Sequence, residues 1–99
     1  MMTIEQLIEY LNNTNKAVIN KYGKQNQLFV CIEELGELQK ELTKAGRGKE
    51  SRSALYEEYA DAIIVMIQIA QIFGINEDEV VKEIARKLDR TNKRMAEDI

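Results

Sequence analysis

Residues 59–73 constrain the fold more than any other part of the chain, because the helix they predict is apolar on nearly every side. Asp61, Gln68 and Gln71 are the polar residues in this segment. A helix that is apolar all round is buried, either in a core or at a subunit interface. Since 99 residues can enclose only one modest core, we expect a single domain over residues 1–99 that is completed by oligomerisation.

Apolar residues recur at helical spacing in four segments, and no segment alternates as a strand would. The predicted helices cover residues 3–21, 26–45, 53–73 and 76 onward. The predicted N-caps are Thr3, Ser53 and Asn76. Two capping boxes are also predicted, one between Thr3 and Gln6 and one between Asn76 and Glu79. The chain has no proline and the connections are short, so the predicted fold class is all-α, a four-helix antiparallel bundle.

Composition argues against several classes of function. The net charge is −3, so the chain has no broad electrostatic attraction for nucleic acid. No apolar run reaches the roughly 18 residues that a membrane span needs, and the N-terminal residues do not resemble a signal peptide. Cys31 is the single cysteine, which excludes an internal disulfide and fits a reducing compartment. We therefore expect a cytoplasmic protein with no nucleic-acid or membrane partner.

Two acidic pairs occur on the second and third predicted helices. Glu34 and Glu37 form the first pair, and Glu58 and Asp61 form the second. A spacing of three residues places both carboxylates of a pair on one helix face, about one turn apart. Both faces border apolar sequence, so four carboxylates could converge between two packed helices. Because the chain has no histidine, a metal bound there has oxygen ligands, which favours Mg²⁺, with Mn²⁺ as a second candidate.

Two simpler interpretations of the acidic pairs stay open. Glutamate favours helices, and paired glutamates are often solvated surface. Asp61 could instead pair with a lysine or arginine, since an isolated buried charge is costly. However, no basic residue lies on the same stretch, and two acidic faces packed together would repel each other unless cations lay between them. We therefore favour a metal cluster.

Four sequence blocks occur in an order that a known family shares. They are QLFVCIEELGELQKELTK around the first acidic pair, GRGK in the connector, LYEEYADAIIVMIQI around the second pair, and KLDRTNKRM near the C-terminus. In this order they resemble the MazG-like all-α nucleoside triphosphate pyrophosphohydrolases. The resemblance covers most of the chain, and it implies a MazG-like bundle that forms a homodimer or homotetramer.

The resemblance also implies an activity and a set of site residues. The expected reaction is Mg²⁺-dependent cleavage of a nucleoside triphosphate, NTP or dNTP, to the monophosphate and pyrophosphate. By resemblance, the Mg²⁺ ligands are Glu34, Glu37, Glu58 and Asp61. Glu33 matches the first glutamate of the family's motif, and it is either an additional ligand or a base that orients water. These five residues form the candidate catalytic set.

Basic residues should complete a site for a triphosphate. Lys87, Arg90 and Arg94 are spaced three and four residues apart, so they share one face of the last helix. That face is either a clamp on the phosphates or solvated surface paired with Glu83 and Glu97, and the resemblance favours the clamp. The weaker candidates for substrate binding are Arg47 and Lys49 in the glycine-containing connector, and Gln27.

Two rival functions stay open at this point. Among enzymes, relatives with the same carboxylate arrangement act on phosphoribosyl-ATP, dUTP or dCTP, and the sequence does not separate these substrates. Outside enzymes, the chain could be a non-catalytic helical dimer that acts as a regulatory or adaptor module. That second interpretation leaves the acidic pairs without a chemical role.

Overall fold

The computed structural model describes residues 1–98 of the chain, and helices account for most of them. The four helices are α1 (Ile4–Tyr22), α2 (Lys24–Gly46), α3 (Arg52–Phe73) and α4 (Glu77–Glu97). Residues 1–98 contain no strand. The prediction of an all-α chain with four helices is therefore confirmed.

The first helix begins where the sequence predicts. Thr3 Oγ1 accepts a hydrogen bond from the Gln6 backbone N–H at 3.1 Å, and Gln6 Oε1 accepts one from the Thr3 N–H at 2.9 Å. These two bonds confirm the capping box. α1 ends at Gly23, whose φ of 88° is unfavourable for residues with a side chain. Because Gly23 is the only residue that separates the two helices, α2 begins at Lys24, earlier than the predicted start at residue 26.

The N-caps of α3 and α4 differ in part from the predictions. Ser51, rather than Ser53, caps α3, because its side chain accepts a hydrogen bond from the Ala54 N–H at 3.3 Å. The prediction of Ser53 was wrong: Ser51 has the extended backbone of a cap, whereas Ser53 lies within the first helical turn. Asn76 caps α4, as predicted, by accepting from the Glu79 N–H at 3.1 Å. Within residues 1–98, no reciprocal bond from the Glu79 side chain completes a capping box.

Helices α2 and α3 pack antiparallel, and α1 packs against both. Gln27 on α2 faces Gln68 on α3, and further along the same helices Glu34 faces Asp61. From the first facing pair to the second, the residue number increases on α2 and decreases by the same amount on α3. One antiparallel register therefore holds over about two helical turns.

Helix α4 packs against none of the other helices within residues 1–98, and all of its residues are exposed. The chain bends by 119° between α3 and α4, at a turn where Gly74 has a left-handed φ of 63°. The bundle is therefore formed by α1, α2 and α3, and α4 projects from it. No single helix of residues 1–98 is long and apolar enough to cross a membrane; α3 and α4 meet that criterion only as a bent pair, by length and composition.

The centre of the bundle is polar, which the helical spacing of the apolar residues does not predict. Asn15, Gln27 and Gln68 are 1%, 6% and 4% exposed, and Cys31 is 0% exposed. Gln68 Oε1 accepts hydrogen bonds from Gln27 Nε2 at 2.7 Å and from Cys31 Sγ at 3.3 Å. Gln68 Nε2 donates to Asn15 Oδ1 at 2.9 Å, and Asn15 Nδ2 donates to Ile64 O at 3.2 Å. One glutamine side chain thus joins α1, α2 and α3.

Helix α3 is buried on one side only in the single chain. Ala62 and Val65 face the core, whereas Tyr59, Ile63 and Met66 are exposed. The core of one chain therefore does not enclose this apolar helix on all sides. That a subunit interface covers the other side stays a prediction.

We expect Gln68→Ala to lower the free energy of unfolding by about 1–3 kcal/mol, because it removes the hydrogen-bond partner of the buried Asn15 Oδ1 and of the buried Gln27 Nε2. Urea unfolding followed by circular dichroism measures this change. Gln39→Ala removes an exposed amide on α2 and is the control, with an expected change below about 0.5 kcal/mol. Equal effects of the two substitutions would mean that the buried network does not hold the helices together.

Candidate metal centre

Three carboxylates from two helices meet between α2 and α3. One oxygen each from Glu34, Glu58 and Asp61 lies within 4.8 Å of the other two, and all three residues are partly buried. The cluster forms because the antiparallel register places a turn of α2 opposite a turn of α3, and each turn carries an acidic pair. Three of the four predicted metal ligands are therefore adjacent.

Glu37, the fourth predicted ligand, lies beside the cluster rather than within it. Its side chain is exposed, but its charge helps to raise the pKa of both Glu34 and Glu58. Glu33 is also exposed, and its charge contributes to the raised pKa of Glu34. These two residues add further negative charge beside the cluster.

Burial and mutual repulsion disfavour full ionisation of the cluster. The pKa of Glu34 is raised first by desolvation, then by the charges of Asp61 and Glu37 and by a hydrogen bond with Asp61. The pKa of Glu58 is also raised first by desolvation, and then by the charges of Asp61 and Glu34. Added positive charge would remove this penalty, because it stabilises the ionised carboxylates.

One oxygen of the cluster lacks a protein partner. Glu58 Oε2 is fully buried and accepts no hydrogen bond, and none of the ion pairs within residues 1–98 includes Glu34, Glu58 or Asp61. The structure therefore does not support the alternative that Asp61 pairs with a lysine or arginine. A buried carboxylate oxygen without a donor is costly. An all-oxygen donor set with one orphaned acceptor fits a hard divalent cation such as Mg²⁺ or Mn²⁺.

The main basic candidates for substrate binding are not adjacent to the carboxylates in the single chain. Lys87, Arg90 and Arg94 are exposed on α4, which packs against none of α1, α2 and α3 in the described residues. Their alternative pairing with Glu83 is not formed either, since Glu83 pairs with Arg86 at 2.9 Å. The hydrogen bond and charge of Arg86 are the main reasons why the pKa of Glu83 is lowered.

The weaker candidates for substrate binding lie in different places. Arg47 and Lys49 are exposed in the connector that joins the two helices carrying the carboxylates. Gln27 is buried, and its amide nitrogen donates to Gln68, about two turns of α2 away from Glu34. The position of Gln27 does not support a contact with substrate, because hydrogen bonding in the core accounts for its amide.

A separate groove of about 1050 Å³ lies between α1, the C-terminal half of α3 and the start of α4. Its polar lining includes Asn12, Lys16, Gln71 and Asn76, and none of the clustered carboxylates lines it. The groove is therefore not part of the candidate metal centre.

Comparison with known families gives an independent assignment. The family model described as the MazG nucleotide pyrophosphohydrolase domain matches residues 23–96. The chain belongs to this family. The resemblance drawn from four sequence blocks is thus confirmed, and the MazG domain includes both acidic pairs and the basic face of α4. No curated protein and no solved structure matches the chain.

The raised pKa values in the carboxylate cluster predict that the stability of the folded protein depends on pH. A carboxyl whose pKa is raised on folding stabilises the fold fully below its unfolded-state pKa, and this contribution is lost as the pH rises through the folded-state pKa. The metal-free protein should therefore lose the contribution of Glu34 and Glu58 as the pH rises above about 4.5. Melting temperatures measured in EDTA should fall more steeply with pH in the wild type than in Glu34→Gln.

Added Mg²⁺ provides the second part of this test. At neutral pH it should raise the melting temperature of the wild type more than that of Glu34→Gln, because a ligand that binds only the folded state stabilises it. Glu9→Gln changes an exposed carboxyl on α1 and should behave as the wild type does. The same rise in all three proteins would contradict metal binding at this cluster.

Proposed function

We propose that the protein hydrolyses a nucleoside triphosphate, NTP or dNTP, to the monophosphate and pyrophosphate, with Mg²⁺ as cofactor. The observation that carries the proposal is the cluster of Glu34, Glu58 and Asp61 inside a MazG domain, with an orphaned oxygen on Glu58. Membership of the nucleotide pyrophosphohydrolase family supports the reaction class. The all-oxygen donor set supports the cofactor.

In the proposed enzyme, Glu34, Glu58 and Asp61 hold Mg²⁺ or Mn²⁺, and Glu37 joins them from the edge of the cluster. A bound divalent cation neutralises phosphate charge and polarises phosphate oxygens. The carboxylates lie on two packed helices, so their oxygens need little rearrangement to act as ligands. Without added positive charge the cluster would repel a triphosphate, so turnover should depend strictly on the metal.

The proposed reaction breaks the bond between the α-phosphorus and the oxygen that bridges to the β-phosphate. Water adds to the α-phosphorus and loses a proton, and pyrophosphate leaves with the bridging oxygen. Glu33, exposed beside the cluster, is the proposed base that orients the water and accepts its proton. The other role open to Glu33 is that of an additional metal ligand, since it neighbours Glu34 on α2.

Lys87, Arg90 and Arg94 are the proposed phosphate-binding residues. Their common face on α4 supports this role, because several cations on one face can bind neighbouring phosphate oxygens. They would reach a phosphate at the cluster only from a second copy or after a movement of α4, since α4 projects from the bundle in residues 1–98. Arg47 and Lys49 in the connector have a secondary role in the proposal.

The proposed functional unit is a homodimer or homotetramer in the cytoplasm, without a nucleic-acid or membrane partner. Exposed apolar residues on α3 and α4 support self-association. The modest net charge and the single cysteine support the location and the absence of a nucleic-acid partner.

We expect the protein to release pyrophosphate from at least one nucleoside triphosphate in the presence of Mg²⁺, and from none in EDTA. Asp61→Asn and Glu37→Gln should each lower kcat by about 100-fold or more, because even the loss of a group that only orients a metal ligand costs about 10- to 100-fold. The helical circular dichroism should not change. A coupled pyrophosphate assay over ribo-, deoxyribo- and modified nucleotides measures the activity, with Glu9→Gln as the control.

The outcomes of this assay separate the rival functions. Turnover without metal, or release of inorganic phosphate as the first product, would contradict the proposed reaction. Preference for phosphoribosyl-ATP, dUTP or dCTP would identify the substrate within the enzyme class. No turnover, together with no binding of Mg²⁺ and a non-hydrolysable nucleotide in isothermal titration, would favour a regulatory or adaptor module.

We expect Arg90→Ala to raise KM for the triphosphate by about tenfold or more, because a hydrogen bond to a charged group contributes roughly 1.5–3 kcal/mol. Its affinity for Mg²⁺ should not change, since Arg90 is not a metal ligand. Lys82→Ala is the matched control, because Lys82 lies on another face of α4 and pairs with Glu79. If both substitutions change KM equally, the basic face of α4 does not bind the substrate.

A further inference from the structure

The groove between α1, the end of α3 and the start of α4 has the size of a ligand site. Its volume is about 1050 Å³, at the upper end of the range for small-molecule sites. Gln71, which lines it, comes ten residues after Asp61 in the sequence and is therefore about 15 Å from it along α3. The groove is thus a second site, separate from the metal ligands.

The lining of the groove combines apolar surface with a few polar groups, as small-molecule sites do. The apolar residues are Ile8, Ile19, Ile67, Ala70, Ile75 and Val80. Amide side chains and two lysines border them, and Glu77 is the acidic residue of the lining. This combination fits a flat ring with polar groups on its edges better than it fits a purely apolar chain.

One wall of the groove attracts anions. Asn12, Lys16 and Asn20 follow each other at four-residue spacing, so they share one face of α1. Lys24 continues the series at the start of α2, and none of the ion pairs within residues 1–98 includes Lys16 or Lys24. Residues 10–32 contain three lysines and no acidic residue, although the net charge of the chain is −3. Two such ammonium groups are complementary to a phosphate group.

The α3 side of the groove carries an acceptor that lacks a donor. Gln71 Oε1 is buried and accepts no hydrogen bond within residues 1–98, whereas Gln71 Nε2 donates to Asn12 O in a long bond of 3.3 Å. The terminal torsion of glutamine is soft, so a small turn of the amide presents Oε1 to a donor in the groove. An unsatisfied buried acceptor is costly. Since Lys16 lies one turn from Asn12, one small molecule can contact both the Gln71 oxygen and the Lys16 ammonium group.

We propose that this groove binds a nucleoside monophosphate. The base lies on the isoleucine-rich surface and donates an N–H to Gln71 Oε1, and the phosphate binds between Lys16 and Lys24. A fatty acid would leave Gln71 without a donor, and inorganic phosphate would leave the apolar surface uncovered. A triphosphate carries more negative charge than two lysines neutralise. Binding at this groove does not depend on catalysis at the carboxylate cluster.

Isothermal titration in EDTA tests the site, because the metal-free carboxylate cluster repels nucleotides. The probes are AMP, GMP, CMP and UMP, with each nucleoside and inorganic phosphate as partial ligands. We expect at least one monophosphate to bind, and Lys16→Ala to weaken its binding by about tenfold or more, since hydrogen bonds between charged groups are the strong ones. Lys21→Ala is the matched control and should leave the affinity nearly unchanged, because it removes a lysine of α1 that does not line the groove. The nucleoside alone should bind less tightly than its monophosphate.

Thiol labelling tests whether the groove is open in the assembled protein. Asn20→Cys places a thiol in the groove, and Asn13→Cys places one on another face of α1; both positions are exposed. Both variants should react with a maleimide, whereas the native Cys31 is fully buried and should not. A monophosphate at ten times its Kd should slow the labelling of Asn20→Cys by about tenfold, and it should not affect Asn13→Cys.

Several results would overturn the proposal. One is the absence of binding by all the monophosphates, and another is equal weakening by Lys16→Ala and Lys21→Ala, which would indicate general charge attraction. An unreactive Asn20→Cys beside a reactive Asn13→Cys would show that a second copy covers the groove. Loss of binding in Asp61→Asn but not in Lys16→Ala would place the nucleotide at the carboxylate cluster. None of these measurements requires turnover, so their failure is distinguishable from failure of the pyrophosphate assay.

Discussion

The hydrogen bonding of the buried Gln68 side chain is the interaction on which the arrangement of the helices depends. Its oxygen accepts from Gln27 and Cys31 on α2, and its nitrogen donates to Asn15 on α1. A buried amide needs partners at defined positions, so a slip of one helix by a single turn would leave several polar groups unpaired. The same register places Glu34 opposite Asp61, about two turns away. The polar core thus determines where the carboxylates meet.

The ionised carboxylate cluster lowers the stability of the fold that contains it. Burial and repulsion raise the pKa of Glu34 and Glu58, so ionisation of these carboxyls costs the folded state stability, and a bound cation would offset that cost. The apolar core that opposes this cost is small: within the described residues it consists of Ile19, Cys31, Ala62 and Val65. The single chain therefore leaves much of its apolar surface exposed.

Much of the fold could be predicted because helix periodicity and capping are local properties. The Thr3 capping box, the break at Gly23 and the absence of strands all follow from residues that are near each other in sequence. The cap of α3 was assigned to Ser53 instead of Ser51, since two serines in one short segment offer the same side chain and only the backbone conformation distinguishes them. The polar core was missed because an amide in an apolar helix has the same sequence signal whether its partner is water or another helix.

The sequence by itself determined the helices, the oxygen-only donor set and the two acidic turns, because these follow from residue type and from spacing within one helix. Only the tertiary structure decided which residues meet. It places Glu34, Glu58 and Asp61 next to one another, with Glu37 at the edge of the cluster. It also shows that the Gln27 amide forms a hydrogen bond in the core. It also directed α4 away from the bundle. Contacts between helices depend on register and on the angle of each turn, and neither is encoded in the periodicity of a single segment.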